Sequence, residues 1–379
     1  MARCAKEMIR VTSVLLALVS AIWATAASSH EVRPAIGDVV VRDDTVELDL
    51  TLNLEAFVAN IDLEGLTDKD AAEKSPDYDR LRALPAAELE AAFRAFWPRM
   101  RDNIRIETTQ ARVTDLALKS IAVPPPGDIE VPRTSRIVIT APATPPVRIG
   151  WAREYGILIL RQQGVPDADA YTGLLTAGEI TPPLTVSGGA SEGALQTFVR
   201  YIGVGFAHII PKGLDHILFI LGLFFLAARF STLFWQVTAF TLAHTVTLAL
   251  GALEIVRVPG EIVEPLIAAS IVFVAVENIF TDGLSRFRPI LIFAFGLLHG
   301  LGFASVLGEF GLPASQFIPA LIGFNVGVEV GQLAVIAAAF LAVGLWFRNK
   351  PWYRKAVAIP ASVVIAAIGL YWVWERTLA

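Results

Sequence analysis

The sequence predicts a polytopic α-helical membrane domain of about six transmembrane helices, preceded by a soluble β-rich domain. Three observations carry that reading. The 379-residue chain is 54% hydrophobic and only 18% charged, with mean hydropathy +0.57, where a soluble domain is nearer about one quarter charged. The second half holds apolar runs of the length that a hydrocarbon core of ~30 Å demands. The first half instead alternates apolar and polar residues between turn-forming pieces. The net charge of −5 comes without a basic run of the kind that grips nucleic acid, which sets that partner aside.

Residues 1–29 read as an export signal. Arg3, Lys6 and Arg10 form a positive start, Val11 to Trp23 an apolar core, and "ATAASSH" a run of small residues for cleavage. Cleavage after Ser29 would expose His30, whose amine and imidazole can chelate a metal. Removal of the segment also takes Cys4, the single cysteine. The mature chain then has no intrachain disulfide, and a metal site must use nitrogen and oxygen. That disfavours Cu(I) and leaves Ni, Co, Zn, Mn or Fe(II).

Residues 30–186 form the exported soluble domain. "TVELDLTLNL" (45–54) alternates Val46, Leu48, Leu50, Leu52 and Leu54 with polar residues, the pattern of a half-buried strand. "NIRIE", "RIVIT" and "YGILIL" predict further strands, and "PAAELEAAFRAFWPRM" a helix with Leu89, Phe93, Phe96 and Met100 on one face. A sandwich with one inserted helix is the expected arrangement, and it offers no catalytic constellation. "SGGASEG" (187–193) has the composition of a flexible linker.

From Ala194 to Ala379 the chain reads as membrane sequence, with spans near 210–229, 232–252, 262–280, 289–307, 317–346 and 356–374. The fifth is long and should tilt or protrude. Residues 194–209 are either a separate crossing or a lead-in helix. If 194–229 crosses once and the soluble domain is outside, the inner loops hold Arg229, Arg286, Arg288, Arg348, Lys350, Arg354 and Lys355, and the outer ones only Arg257 and Arg376. An extra crossing inverts this, so the positive-inside rule favours one. The expected location is a bacterial-type inner membrane, with His208, Asp215 and His216 near the outer mouth.

Ionisable groups in lipid are costly and point to function. After His30 every histidine lies in the membrane half: His208, His216, His244 and His299, beside the carboxylates Asp215, Glu277 and Glu329. His208, Lys212, Asp215 and His216 share one face if their helix is continuous, and Pro211 is placed to kink it. Asp215 alternatively pairs with Lys212. In "GFNVGVEVGQL", Gly323, Gly327 and Gly331 form a small-residue ridge for close helix contact. Asn325, Glu329 and Gln332 occupy roughly the opposite face, either toward a polar cavity or as a structural hydrogen-bond network. His244 and His299 sit mid-span in "FTLAH" and "FGLLH", which share F-x-L-x-H; each is read as a ligand or a packing histidine. Glu277 is a ligand or the partner of Arg286 or Arg288.

The stretch "HIIPKGLDH" (208–216), with "LLHGLGFAS" and "FNVGVEVGQL", resembles the HupE/UreJ family of nickel/cobalt permease-like secondary transporters, in the branch with an exported N-terminal domain. The family pattern is His-Pro-x-x-Gly-x-Asp-His. Gly213, Asp215 and His216 match it; His208 stands one residue too far from Gly213 and Pro211 is displaced from beside it. The resemblance covers roughly residues 195–375. It implies a secondary permease with Ni²⁺ or Co²⁺ as the transported ion, Zn²⁺ and Mn²⁺ being the alternatives. On this reading Asp215 and His216 capture a hydrated ion at the outer mouth. His244, His299 and Glu329 replace its water deeper in, and Asn325 supplies a neutral oxygen. The absence of a Walker A sequence leaves ion gradients or a downstream metal sink as the drive. The bilayer and metal-delivery or metalloenzyme-assembly proteins are the expected partners. The competing readings are an intramembrane zinc hydrolase, built from the same histidines around an open water position, and a metal sensor or assembly scaffold.

Overall fold

A computed structural model of the chain describes residues 34–63, 76–127, 133–166, 169–190, 193–281, 283–309 and 314–378. The export signal and His30 lie outside the described residues. The rest divides into two compact units at Ala194/Leu195, a β-sheet unit and a helical one.

The first unit is built on a six-stranded mixed sheet. β1 (Ala35–Val41) and β2 (Thr45–Leu52) form an antiparallel pair; β3 (Arg105–Glu107) and β4 (Arg112–Val113) belong elsewhere. β5 (Ala117–Ala122), β6 (Ser135–Pro142), β7 (Arg148–Gly150), β8 (Leu158–Gln162) and β9 (Thr172–Leu175) follow. The large sheet runs β5-β6-β2-β1-β8-β9, with β1 and β8 parallel, and β4-β3-β7 form a second, small sheet. Strict alternation sets the buried face: Val46, Leu48, Leu50 and Leu52 of β2 turn inward, as the sequence predicts. Leu54 does not extend that strand. Asn53 accepts a hydrogen bond from the Ala56 amide (3.1 Å) and caps the short helix α1 (Leu54–Val58) instead.

α2 (Pro76–Arg82) and α3 (Ala86–Asn103) follow. Leu89, Phe93 and Met100 of α3 are buried in one hydrophobic core with Ile106, Ile149 and the inward residues of the large sheet. A helix thus shares the core that a sandwich would give wholly to two sheets. Glu55 and Arg133 form an ion pair in this unit at 2.6 Å with side chains 0% and 6% exposed, and Arg133 also donates to the Leu81 and Leu84 carbonyls. The expected linker is partly structured: β10 (Leu184–Thr185) pairs with β11 (Gly188–Gly189) as a hairpin. Gly188 takes φ +132°, a conformation that suits glycine.

The second unit is all helix: α4 (Ala194–Ile209), α5 (Leu214–Leu226), α6 (Phe230–Ala252), α7 (Gly260–Phe280), α8 (Arg288–Glu309), α9 (Ala314–Ala339) and α10 (Ile359–Leu378). Four spans are long and apolar enough to cross a membrane: Phe230–Ala252, Gly260–Phe280, Gln316–Phe347 and Arg354–Leu378. The bent pair α4–α5 makes a fifth if it crosses as one, and α8 contributes a shorter apolar stretch, Arg288–Gly302. The expected long fifth span is the 32-residue Gln316–Phe347 helix, which passes through a π-helical turn at Phe340–Gly344. Among the described residues, every exposed large hydrophobic side chain except Val186 lies at or beyond Leu195. An apolar exterior confined to the helical unit is what lipid contact requires.

The helix is not continuous from His208 to His216: it breaks around Pro211, the residue placed to kink it. α4 ends at Ile209 and α5 starts at Leu214, bent by 72° to it. Pro211 offers no amide hydrogen to continue the ladder, and Gly213 lies so close to the His208 carbonyl that a Cβ would collide with it. The α9 ridge behaves as its spacing predicts. A Cβ at Gly323 or Gly327 would fall on the carbonyl oxygens of Phe198 and Ile202, so α4 and α9 pack backbone to backbone. A second contact of this kind joins α8 to α6, where Gly296 and Gly300 meet the Phe240 and His244 carbonyls.

Candidate metal centre

The break between α4 and α5 decides the site. It folds His208 back against His216, so the residue that stands out of the family spacing still joins its partners. Their ring centroids are 5.0 Å apart. His244 enters from α6, at 6.2 Å from His208 and 5.9 Å from His216. One ring nitrogen from each of His208, His216 and His244 lies within 4.8 Å of the others. His299, from α8, stands 4.9 Å from His216 between ring centroids, outside that three-nitrogen group. Its close approach follows from Gly296 and Gly300, which bring α8 onto α6.

Hydrogen bonds fix the tautomers. His216 Nδ1 lies 3.0 Å from Asp215 Oδ1, His244 Nδ1 3.1 Å from Asn325 Oδ1, and His299 Nδ1 2.8 Å from the Phe295 carbonyl. Each partner is an acceptor, so each Nδ1 carries the proton and each Nε2 keeps its lone pair. Among the described residues those three Nε2 atoms are buried and find no hydrogen-bond partner. A buried polar atom without a partner costs about 1–3 kcal/mol. His216 and His244, whose rings are oriented from behind by oxygen acceptors, belong to the three-nitrogen group, the arrangement of metal-ligating histidines.

The surroundings are aromatic. His244 is stacked between Phe240 and Phe324, with interplanar angles of 21° and 15°. Phe219 and Phe240 close on His299. His216, His244 and His299 are 4%, 0% and 2% exposed. Neutral imidazoles in such walls bind a cation without the full cost of burying several like charges, and Asp215 supplies one negative charge.

The oxygen residues expected as ligands each have a protein partner. Asp215 accepts from its neighbour's backbone amide at 2.8 Å as well as from the His216 ring. Among the described residues no ion pair joins it to Lys212. Asn325 orients His244, and its own amide group donates to the Leu321 carbonyl at 2.8 Å, which turns Oδ1 toward the ring. Glu329 lies outside the three-nitrogen group: its carboxylate accepts from Thr238 Oγ1 at 2.6 Å and Thr241 Oγ1 at 2.5 Å. Glu277 is bound to the buried Arg288 guanidinium, the pairing weighed against its ligand role. His208, His216 and His244 thus form one group with His299 against His216, and Glu329 belongs to a separate polar cluster. The threonines around Glu329 were not legible as partners, because nothing in the sequence says which face of α6 meets α9.

The family model described as HupE / UreJ protein matches residues 187–376, half of the chain: nearly all of the helical unit, and of the β-sheet unit only its last residues. No curated protein and no solved structure matches the chain.

Proposed function

The chain belongs to the HupE/UreJ family, and from that premise we propose that it is a secondary permease for a divalent transition metal of the nickel/cobalt class. The observation that supports this reading best is the convergence of His208, His216 and His244 within 4.8 Å, with His299 adjoining. Imidazole nitrogen suits Ni²⁺ and Co²⁺, with Zn²⁺ next, and the absence of thiolate near the site among the described residues favours release as well as capture. The ion is cargo. Its hydration shell is replaced by the Nε2 lone pairs of the histidines, while Asp215 and Asn325 hold the rings in place from behind.

The positive-inside rule supports an orientation with the β-sheet unit outside a bacterial-type inner membrane. In the structure, the cations assigned to the inner loops also cover helix ends. Arg354 donates to the Asn278 and Ile279 carbonyls at the end of α7, and Arg348 to the Ala228 carbonyl beyond α5, where positive charge complements the helix dipole. On this reading the β-sheet unit meets the medium from which the metal comes.

The test is uptake of Ni²⁺, Co²⁺, Zn²⁺ and Mn²⁺ into proteoliposomes, with Asp215→Ala and His244→Ala beside the wild type. Uptake of one of these ions that both variants abolish, with insertion intact, supports the permease. Normal uptake by both variants sinks the assigned path. A three-imidazole site is also the ligand set of hydrolytic zinc. A protein that moves no ion but keeps one metal per chain through purification would favour that reading.

A further inference from the structure

A second polar cluster adjoins the histidine cluster on the α6–α9 interface. On α6, Thr238 and Thr241 stand one turn apart; on α9, Glu329 and Gln332 do the same. Both threonine hydroxyls donate to the Glu329 carboxylate, and Thr241 Oγ1 also lies 3.1 Å from Gln332 Oε1. Side-chain oxygens from two helices thus converge in one polar cluster inside apolar spans, where such groups are costly and mark function. Thr241 and Gln332 are 8% and 1% exposed. One carboxylate and three neutral oxygens carry a charge of −1, without nitrogen. Such a set suits a hard monovalent cation and gives a neutral assembly in apolar surroundings.

The position gives the site a consequence. Thr241 precedes His244 by one turn of α6, and Glu329 follows Asn325 by one turn of α9. The interface therefore has two neighbouring rungs, His244–Asn325 and Thr241–Glu329, about 5 Å apart along the helices. A rigid shift of α9 against α6 that opens one rung opens the other. The charged and titratable groups on the helices against α6 and α9 are Arg200, Tyr201 and His208 of α4, Asp215 and His216 of α5, and Arg288, His299 and Glu309 of α8, with His244 on α6 itself. Among the described residues the hydrogen bonds to the Glu329 carboxylate come from the two threonines, and no ion pair reaches it.

We propose that Glu329, Thr238, Thr241 and Gln332 form the binding site for a monovalent coupling cation, Na⁺ or H⁺, whose occupancy is linked to that of the histidine cluster through α9. This rests on the permease reading above. The experiment uses full-length protein in proteoliposomes with a Ni²⁺ probe inside. One arm has a Na⁺ gradient at equal pH, one a pH gradient in choline salts, and one no gradient. The expected result is acceleration of wild-type uptake by about 10-fold in one gradient arm, the Na⁺ arm identifying Na⁺ and the pH arm a proton. Glu329→Gln and Thr241→Val should both lose the acceleration; Thr241→Val should also bind Ni²⁺ as the wild type does and keep the gradient-free rate. Wild-type uptake indifferent to both gradients, or acceleration retained in both variants, overturns the proposal.

Thermal unfolding of the solubilised protein in NaCl against choline chloride, and across pH, separates this from failure of the permease itself. A Tm raised by Na⁺ or by proton uptake in the wild type but not in Glu329→Gln, with no Ni²⁺ movement in any arm, upholds the cation site and sinks the permease. Should Glu329→Gln not fold, Thr241→Val carries the comparison.

Discussion

His244 and Asn325 face each other across the α6–α9 interface, with Nδ1 3.1 Å from Oδ1. The Asn325 amide nitrogen is tied to the Leu321 carbonyl, so the oxygen must face the ring and the ring must present Nε2 to the cluster. Asn325→Leu removes the acceptor and frees the tautomer. Ni²⁺ affinity in equilibrium dialysis should fall about 10–100-fold, with the elution profile of the folded protein unchanged. Asn325→Asp, which keeps an acceptor, should retain most of it. Equal affinity in wild type and Asn325→Leu would show that Asn325 does not orient His244 for metal.

Glu277 and Arg288 test the division between metal and structure. Arg288 is 2% exposed, and Glu277 is its partner. Glu277→Gln leaves a buried cation unpaired and should cost about 3–5 kcal/mol, read as a lowered unfolding temperature. Glu277→Leu with Arg288→Met should recover most of that loss. Ni²⁺ stoichiometry should be unchanged in the double variant; a lost equivalent of metal would return Glu277 to the ligands.

The glycine ridge of α9 should be intolerant where it meets backbone. Gly327→Leu drives a side chain onto the Ile202 carbonyl and should cost about 3 kcal/mol or prevent folding. Gly203→Ala is the control, since nothing lies within 4 Å of a Cβ there. Size-exclusion chromatography after graded heating should separate the two, with Gly203→Ala matching the wild type.

In the β-sheet unit, Arg133→Met strands the Glu55 carboxylate, which is 0% exposed. The loss should be about 3–5 kcal/mol, followed through the fluorescence of the buried Trp151 in the full-length protein. Metal binding by the helical unit should be unaffected at temperatures below that transition. Unfolding of Arg133→Met at the wild-type temperature would mean that the buried pair contributes nothing net.

The sequence by itself determined the two-part organisation, because hydropathy and periodicity are local and additive. Val46, Leu48, Leu50 and Leu52 alternate whatever their partners are, and Gly323, Gly327 and Gly331 mark one face of a helix whatever packs on it. It also singled out the histidines, since ionisable groups are conspicuous in apolar runs. What it could not decide was which faces meet. His208 is one residue out of register with the family pattern, and only the 72° bend between α4 and α5 brings it back beside His216. Asn325, Glu277 and Glu329 look alike in a linear reading, as polar residues in apolar helices. Tertiary packing separated them, turning Asn325 toward His244, Glu277 toward Arg288 and Glu329 toward Thr238 and Thr241. A buried polar group takes the role of the partner that reaches it, and that partner is set by helix packing over distances no local pattern encodes.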